Sequence, residues 1–320
     1  MPKRLNFENQ TIYISGVIPL WNERESLDEL YAKLTHVLEA LGKPYELIFV
    51  DDGSRDGSFE ILQQIHRKDP RVKVIQFQRN YGKSAALSAG FARAAGEVVI
   101  TMDADLQDEP EEIPKLLQKL DQGYDLVSGW KKNRQDPFSR KIASQIFNRV
   151  TSWVAGIRLH DFNCGFKIYR QQVIKTIRLY GQRHRFIPVI AHWEGFQVSE
   201  VAVQHHKRKY GRSKFGPSRF TAGLFDLITI VFLSKFKKRP LHLFGIAGLV
   251  SFLAGLIISI YLTIERLFAS KYLSNRPLLF LGILLIIVGI QFVSIGLLGE
   301  MITETQKEHQ GYLIKSELGF

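Results

Sequence analysis

The sequence predicts an α/β domain built on a mainly parallel sheet, followed by a membrane-associated segment with two spanning helices. From Thr11 to about Gly129, short apolar runs alternate with amphipathic stretches, which is the pattern of βα units. Two long apolar stretches lie near the C-terminal end of the chain. Ten basic residues and one acidic residue lie from Lys207 to Arg239, just before them. This basic excess fits a surface that faces anionic lipid head groups, and a solvated loop is the alternative.

Residues 1–215 form the predicted α/β domain. Its predicted strands are Ile12–Ile18, Glu46–Val50, Val72–Phe77, Val98–Met102, Leu126–Ser128, Phe166–Tyr169 and Val198–Val203. Apolar residues recur at helical spacing between the first strands, and a further helix is predicted over Phe138–Ala155. Right-handed crossovers place the strand-to-helix loops at one edge of a parallel sheet, where open α/β folds bind ligands.

Residues 216–240 follow the domain and predict an amphipathic helix that lies in the membrane interface. Residues 241–264 contain no charged side chain, and 24 residues at about 1.5 Å each suffice to cross a hydrocarbon layer of about 30 Å. Residues 277–299 form a second predicted span, and residues 300–320 form a tail. Two buried core helices are the alternative interpretation.

Charge and composition predict where the parts of the chain lie. The basic cluster Lys235–Arg239 precedes the first span, so the positive-inside rule places the large domain and both termini in the cytoplasm, with two spans in the cytoplasmic membrane. The polar N-terminus Met1–Gln10 shows no signal peptide, and the single Cys164 excludes an intrachain disulfide. A net charge of +12 alone indicates nucleic-acid binding, but the basic residues cluster beside the spans without a nucleic-acid module.

Three glycines in the second span are spaced by seven residues: Gly282, Gly289 and Gly296. Small residues at such spacing allow two membrane helices to approach closely. The sequence therefore predicts a homo-oligomer, with a tetramer as one option. Packing of these glycines within one chain is the alternative.

Two carboxylates follow the predicted strand Val98–Met102 in the run Asp103-Ala104-Asp105-Leu106-Gln107. Aspartates one residue apart at a strand end, with an amide oxygen beyond, offer hard oxygen ligands to Mg²⁺ or Mn²⁺. The remaining coordination positions of such an ion suit a diphosphate. Turn formation and helix capping are the alternative roles of these aspartates.

Two more acidic segments follow predicted strands at the same edge of the sheet. Asp51-Asp52 follows the second strand, and Pro19-Leu20-Trp21-Asn22-Glu23 follows the first. Three acidic loops are therefore expected to converge. Lys83 lies at the start of a predicted helix, where it can face a phosphate, although a solvated lysine is equally consistent with the pattern.

These motifs, taken together, resemble glycosyltransferase family 2. The ordered segments are Val17-Ile18-Pro19 with Asn22-Glu23, Val50-Asp51-Asp52-Gly53-Ser54, Asn80-Tyr81-Gly82-Lys83 and Asp103-Ala104-Asp105-Leu106-Gln107. Within the family the chain is similar to the dolichyl- and polyprenyl-phosphate sugar synthases, and more closely to their bacterial two-span branch, which includes bactoprenol glucosyltransferases. The resemblance covers nearly the whole chain.

The resemblance implies a glycosyltransferase-A (Rossmann-like) fold and a set of functional residues. The implied metal ligands for Mg²⁺ or Mn²⁺ are Asp105, Asp103 and Gln107. The implied contacts to the nucleotide sugar are Pro19, Asn22, Glu23, Asp52, Lys83, Asp103, Ala104, Lys131 and Lys214. The implied contacts to the acceptor phosphate are Arg140, Ser144 and Arg212. The implied catalytic residues are Asp161, Asp105 and Arg208. Lys131 stands where the family often has arginine, and lysine lacks the bidentate geometry.

The reaction that the resemblance implies is inverting transfer of a sugar from a nucleotide-sugar donor to a polyprenyl phosphate in the bilayer. Glucose from UDP-glucose and undecaprenyl phosphate are the first choice of substrates. GDP-mannose or another UDP-sugar is the alternative donor. An inactive membrane scaffold of the same fold is the alternative from a different functional class.

Overall fold

The computed structural model describes residues 11–132, 138–177, 179, 183–206, 209–210, 240–268, 277–305 and 312–320. The chain divides into two compact units. One unit comprises Met1–Leu227 with Gln310–Phe320, and the other comprises Ile228–His309. The interfacial helix predicted over residues 216–240 lies outside the described residues except for Pro240, as does the predicted domain boundary at residue 215.

The first unit contains one sheet whose eight strands all lie in the described part of the chain. They are β1 Ile14–Leu20, β2 Tyr45–Asp51, β3 Val72–Phe77, β4 Val98–Thr101, β5 Leu126–Lys131, β6 Lys167–Arg170, β7 Val198–Val203 and β8 Ile314–Leu318. Their order is β7-β5-β6-β4-β1-β2-β3-β8. Six strands run parallel, whereas β6 is antiparallel to both β4 and β5, and β8 is antiparallel to β3. The predicted mainly parallel sheet is confirmed.

Seven helices of this unit are described. They are α1 Leu27–Ala40, α2 Ser58–Lys68, α3 Lys83–Arg93, α4 Ile113–Leu120, α5 Phe138–Ala155, α6 Gln171–Thr176 and α7 Ile187–Trp193. Alternate residues of a strand point to opposite faces, so β2 contributes Leu47 and Phe49 to one core and Ile48 and Val50 to the other. A sheet that is buried on both faces explains why its strands read as nearly continuous apolar runs.

Strand β8 comes from the C-terminal tail, to which the sequence assigned no secondary structure. It pairs with β3 from Val74 opposite Leu318 to Phe77 opposite Ile314. An ion pair of 2.8 Å joins Arg93 Nη2 to Glu317 Oε1. The tail therefore covers an edge of the sheet that β3 would otherwise expose.

The second unit contains the helices α8 Pro240–Phe268 and α9 Pro277–Thr305. Within them, Phe244–Phe268 and Pro277–Gly299 are long and apolar enough to cross a membrane. Only 17% and 11% of the most apolar 18-residue stretch of each is buried. That exposure argues against the alternative of soluble core helices.

The glycines of the second predicted span pack within the chain. A Cβ atom on Gly255 would lie 2.5 Å from the carbonyl oxygen of Gly282, and one on Gly289 would lie 2.7 Å from that of Gly248. Gly296 likewise faces Leu241. These contacts support the alternative of intrachain packing, and the homo-oligomer stays a prediction.

Candidate active site

The candidate site lies at the edge of the sheet where β1, β2 and β4 end. The backbone amide of Asn22, after β1, donates to Ser54 Oγ, after β2, over 2.8 Å. Ser26 Oγ donates to the carbonyl oxygen of Ala104, after β4, over 2.7 Å. These two bonds join all three acidic loops, so their predicted convergence is confirmed.

The loop after β1 is held by its own polar groups. Asn22 adopts a φ of +54°, in the left-handed region that asparagine tolerates better than most residues. Its Oδ1 accepts a hydrogen bond of 2.8 Å from the Arg55 amide, and the Glu23 amide donates to Ser58 Oγ over 3.1 Å. Pro19 is buried in β1 opposite Val50. The contacts of Pro19, Asn22 and Glu23 with a nucleotide stay predictions.

Asp52 connects the end of β2 to the start of α3. Its Oδ1 accepts from the Tyr81 amide over 2.6 Å, and its Oδ2 accepts from the Gly82 amide over 2.9 Å. Burial raises the pKa of Asp52 to about 6, against the opposing effect of the two amides. This carboxylate therefore fixes the backbone directly before Lys83.

Asp103 lies at the end of β4 and is paired with the Lys83 ammonium group. About a third of its side chain is exposed (34%). On its other side Gly165 approaches so closely that a Cβ atom there would lie 2.6 Å from Asp103 Oδ2. The carboxylate is therefore accessible, already pairs with a cation, and would have to shift if residue 165 carried a Cβ atom.

The described residues fit a site for a divalent metal ion whose coordination a bound diphosphate would complete. Asp105 is half-buried, and its Oδ1 accepts a hydrogen bond of 3.3 Å from the backbone amide of Gln107. Gln107 Nε2 donates to the carbonyl oxygen of His206 over 3.2 Å, so the amide oxygen is the Gln107 atom suited to a cation. No group of three or more His, Cys, Asp or Glu residues in the described chain could hold a metal alone. Two or three protein oxygens with phosphate and water suit Mg²⁺ or Mn²⁺.

Lys131 lies inside the protein, although the family resemblance implied that it contacts the donor. Its Nζ is 2.8 Å from Asp108 Oδ1, and the two side chains are 11% and 0% exposed. Burial alone would raise the pKa of Asp108 and lower that of Lys131, but their mutual attraction reverses both shifts. Both groups are therefore charged at neutral pH.

Asp161 is buried in a loop that is fixed from two sides. The amide of the preceding His160 donates to Glu200 Oε2 over 2.8 Å, and the His160 carbonyl oxygen accepts from Asn148 Nδ2 over 2.7 Å. Asp161 Oδ1 accepts from the Asn163 amide over 3.0 Å. Helix α5 and strand β7 thus hold the backbone on which Asp161 is carried.

The predicted acceptor residues are only partly described. Ser144 is half-buried on α5, and Arg140 lies four residues earlier on the same helix. Arg208, Arg212 and Lys214 lie outside the described residues. Their roles stay predictions.

Sequence reasoning missed three residues of this edge: Gly165, Asp108 and Lys167. Lys167 is fully buried, donates to the carbonyl oxygen of Cys164, and has a pKa that burial lowers. The sequence does give one signal for Lys167, because a charged side chain stands within the otherwise apolar predicted strand Phe166–Tyr169. Nothing local distinguishes Asp108 or Gly165, because their partners come from distant segments.

Comparisons with known proteins agree with this architecture. The model of the family Glycosyl transferase family 2 matches residues 15–178. The dodecaprenyl-phosphate galacturonate synthase of Rhizobium johnstonii is 36% identical over 301 residues, which cover 92% of this chain and 89% of that protein.

Solved structures share the fold. Glucosyl-3-phosphoglycerate synthase from Mycobacterium tuberculosis, in complex with Mn²⁺, UDP and phosphoglyceric acid, superposes with a TM-score of 0.54 at 17% identity, over 70% of this chain and 78% of that one. Mannosyl-3-phosphoglycerate synthase from Rubrobacter xylanophilus gives a TM-score of 0.56 at 14% identity, over 72% and 76%. The predicted glycosyltransferase-A fold is confirmed. Given the family match over half of its length, the chain belongs to glycosyl transferase family 2 and is a sugar-transferring enzyme.

Proposed function

We propose that the enzyme transfers a sugar, with inversion, from a nucleoside diphosphate to a polyprenyl phosphate. The accessible carboxylate of Asp103, beside Asp105 at the sheet edge, carries this proposal. The two apolar helices support a lipid acceptor, as does the relative, whose name gives dodecaprenyl phosphate as its acceptor.

The donor would lie between the loops after β1, β2 and β4. Asp103, Asp105 and Gln107 would hold Mg²⁺ or Mn²⁺, which when bound offsets the charge that develops on the leaving diphosphate. The diphosphate would also draw Lys83 from its pairing with Asp103, since a phosphate is the stronger local anion.

The acceptor would lie beside Asp161. A phosphate monoester with a second pKa near 6 is already largely ionised at neutral pH, so Asp161 would orient the acceptor more than deprotonate it. Arg140, Ser144 and Arg212 would bind its phosphate, and Arg208 and Lys214 would face the leaving group.

Three nucleotide sugars are candidate donors. UDP-glucose is the first candidate, from the family resemblance. A nucleotide-linked galacturonate is the second candidate, which the 36% identical relative favours. GDP-mannose is the third candidate.

The catalytic domain is proposed to face the cytoplasm. Residues of the tail pair with β3 of the large domain, and the two apolar helices lie between these segments of the chain. An even number of crossings returns the chain to its starting side. The basic cluster Lys235–Arg239 then favours the cytoplasmic side.

Transfer of radiolabelled sugar from each donor to undecaprenyl and dodecaprenyl phosphate tests the proposal. Labelled lipid should form only with Mn²⁺ or Mg²⁺, and Asp105→Ala should abolish it. If the purified enzyme binds nucleotide sugars but labels no polyprenyl phosphate, the acceptor class is wrong. If it binds none of these nucleotide sugars, the proposed donors are wrong.

A further inference from the structure

We propose that Asp108, Lys131 and His205 form a positioning cluster that holds the metal-binding loop 103–107, and that Lys131 acts there and not on the donor diphosphate. This inference rests on the proposed function, because it assigns the loop to a metal ion. It differs from the role that the family resemblance implies for Lys131.

The positioning cluster joins three segments that are distant in sequence. Asp108 follows β4, Lys131 ends β5, and His205 follows β7. Lys131 Nζ is 2.8 Å and His205 Nδ1 is 3.6 Å from Asp108 Oδ1, and the histidine side chain is only 12% exposed. The backbones of Asp108 and His205 also form an isolated β-bridge. The cluster thus fixes one end of the metal-binding loop to two neighbouring strand ends.

A second set of bonds links the same segments at the predicted metal ligand itself. The carbonyl oxygen of Gln107 accepts from the His206 amide over 2.8 Å, while Gln107 Nε2 donates to the His206 carbonyl oxygen. Leu106, between the ligands, has a φ of +56°. A leucine persists in this left-handed region only where surrounding contacts impose it. The cluster and the Gln107–His206 pairing supply those contacts.

The same geometry argues against Lys131 as a ligand of the diphosphate. Its ammonium group is paired with a fully buried carboxylate, and removal of Lys131 to a substrate would leave Asp108 charged and uncompensated. Lys83, by contrast, is 29% exposed and pairs with the accessible Asp103. Of the two lysines, Lys83 is the one placed to move onto a phosphate.

Binding measurements on the full-length protein in lipid nanodiscs separate the two roles. Mn²⁺ affinity is measured by electron paramagnetic resonance at saturating UDP, and UDP affinity is measured separately in EDTA. Lys131→Met and Asp108→Asn should each weaken Mn²⁺ binding about 10- to 100-fold, as is typical of residues that orient metal ligands. Metal-free UDP affinity should stay within about twofold, because neither side chain touches the nucleotide.

Three further variants keep the test interpretable. Lys131→Arg keeps the charge and should restore Mn²⁺ affinity, whereas Lys132→Met removes the exposed neighbouring lysine and should change nothing. If Lys131→Met does not fold, the double variant Asp108→Asn/Lys131→Met removes both charges and should fold with the same Mn²⁺ defect. Reduced metal-free UDP affinity with unchanged Mn²⁺ affinity would overturn the inference alone. Absence of Mn²⁺ binding by the wild type would overturn the proposed metal site as well.

Discussion

Two sides of the sheet edge are built differently. On the side proposed to bind the nucleotide, here called the nucleotide side and formed by loops 20–26, 52–58 and 78–83, side-chain oxygens of Asn22 and Asp52 accept from backbone amides. On the side proposed to carry out transfer, here called the transfer side and formed by loops 102–109, 130–132 and 159–166, polar side chains pair with each other, as in Lys131 with Asp108 and His160 with Glu200.

This difference indicates a division of labour. Backbone amides do not exchange partners as ion pairs do, so we expect the loops of the nucleotide side to keep the same conformation with and without ligand. The exposed pair of Asp103 with Lys83 can exchange partners, so the transfer side is proposed to accept a metal ion and a phosphate there, whereas the buried pair of Lys131 with Asp108 stays in place. Substitutions on the transfer side should therefore reduce the chemical step most, and those on the nucleotide side should reduce donor binding.

The largest effect is expected from Gly165→Ala. A Cβ atom would lie 2.6 Å from Asp103 Oδ2, so this carboxylate must move away from the position in which it is proposed to bind the metal ion. Transfer should fall about 100-fold or more, as for other displacements of about 1 Å at a reacting centre. Steady-state transfer assays measure it. Gly245→Ala is the control, because a Cβ atom on Gly245 would meet only Leu241, at ordinary contact distances of 3.4 and 3.6 Å. Equal losses in both variants would refute the steric explanation.

A smaller loss is expected from Asn148→Ala and from Glu200→Gln. Each weakens a hydrogen bond to His160, and one such bond contributes about 1 kcal/mol, or about fivefold in rate. The turnover number should fall while the KM for the donor stays constant, since the loop carries Asp161 and not the nucleotide. Ser152→Ala removes a longer bond of 3.3 Å in the same region and should have less effect. A change confined to donor KM would contradict this placement of Asp161.

Asp52 should make donor binding dependent on pH. Its pKa of about 6 lies above the ordinary 3.8, so the folded protein takes up a proton that the unfolded chain does not between these values. The contribution of Asp52 to the free energy of unfolding therefore decreases as pH rises from about 4 to 6. UDP binding should change in the opposite direction, because only the carboxylate accepts from both loop amides. Calorimetry at pH 5 and 7 in EDTA should show severalfold weaker UDP binding at pH 5, and Asp52→Asn should reduce this difference to the part that the terminal phosphate of UDP contributes by its own protonation near pH 6. An unchanged pH difference in Asp52→Asn would exclude Asp52 as its source.

The smallest effect is expected from Tyr312→Ala in the tail. Tyr312 stacks on Phe77 with ring centroids 5.0 Å apart, and Phe77 meets Tyr81 edge-on at 5.7 Å. Loss of the stack costs about 1 kcal/mol and should loosen the loop that Asp52 holds. UDP affinity should fall by no more than severalfold, and Tyr312→Phe should retain it. An effect as large as that of Gly165→Ala would show that the tail belongs to the site itself.

Most of the fold was predictable because burial on both faces leaves a local signature. The strands Val72–Phe77 and Val198–Val203 and the helix Phe138–Ala155 were predicted with the observed bounds. Strand β8 was not predicted, because the segment Ile314–Leu318 is short and mixes polar with apolar residues. It forms a strand only because it pairs with β3.

The site was predictable where its residues follow strand ends and not where they meet distant partners. The carboxylates of Asp52 and Asp103 lie at the predicted edge because parallel strands bring their ends together. The position of Lys131 was not predictable, since Asp108 and His205 reach it from other loops. Burial of an ion pair is a tertiary property with no local sequence signal.

Calorimetric titration of UDP with and without Mn²⁺, in the wild type, Asp52→Ala and Asp105→Ala, tests the division of labour most directly. We predict that Asp105→Ala keeps the metal-free affinity and loses the increase that Mn²⁺ provides. Asp52→Ala should weaken UDP binding by a similar factor in both conditions and keep that increase. If instead Asp105→Ala weakens metal-free binding, or Asp52→Ala removes the Mn²⁺-dependent increase, the two sides do not divide nucleotide binding and metal binding between them.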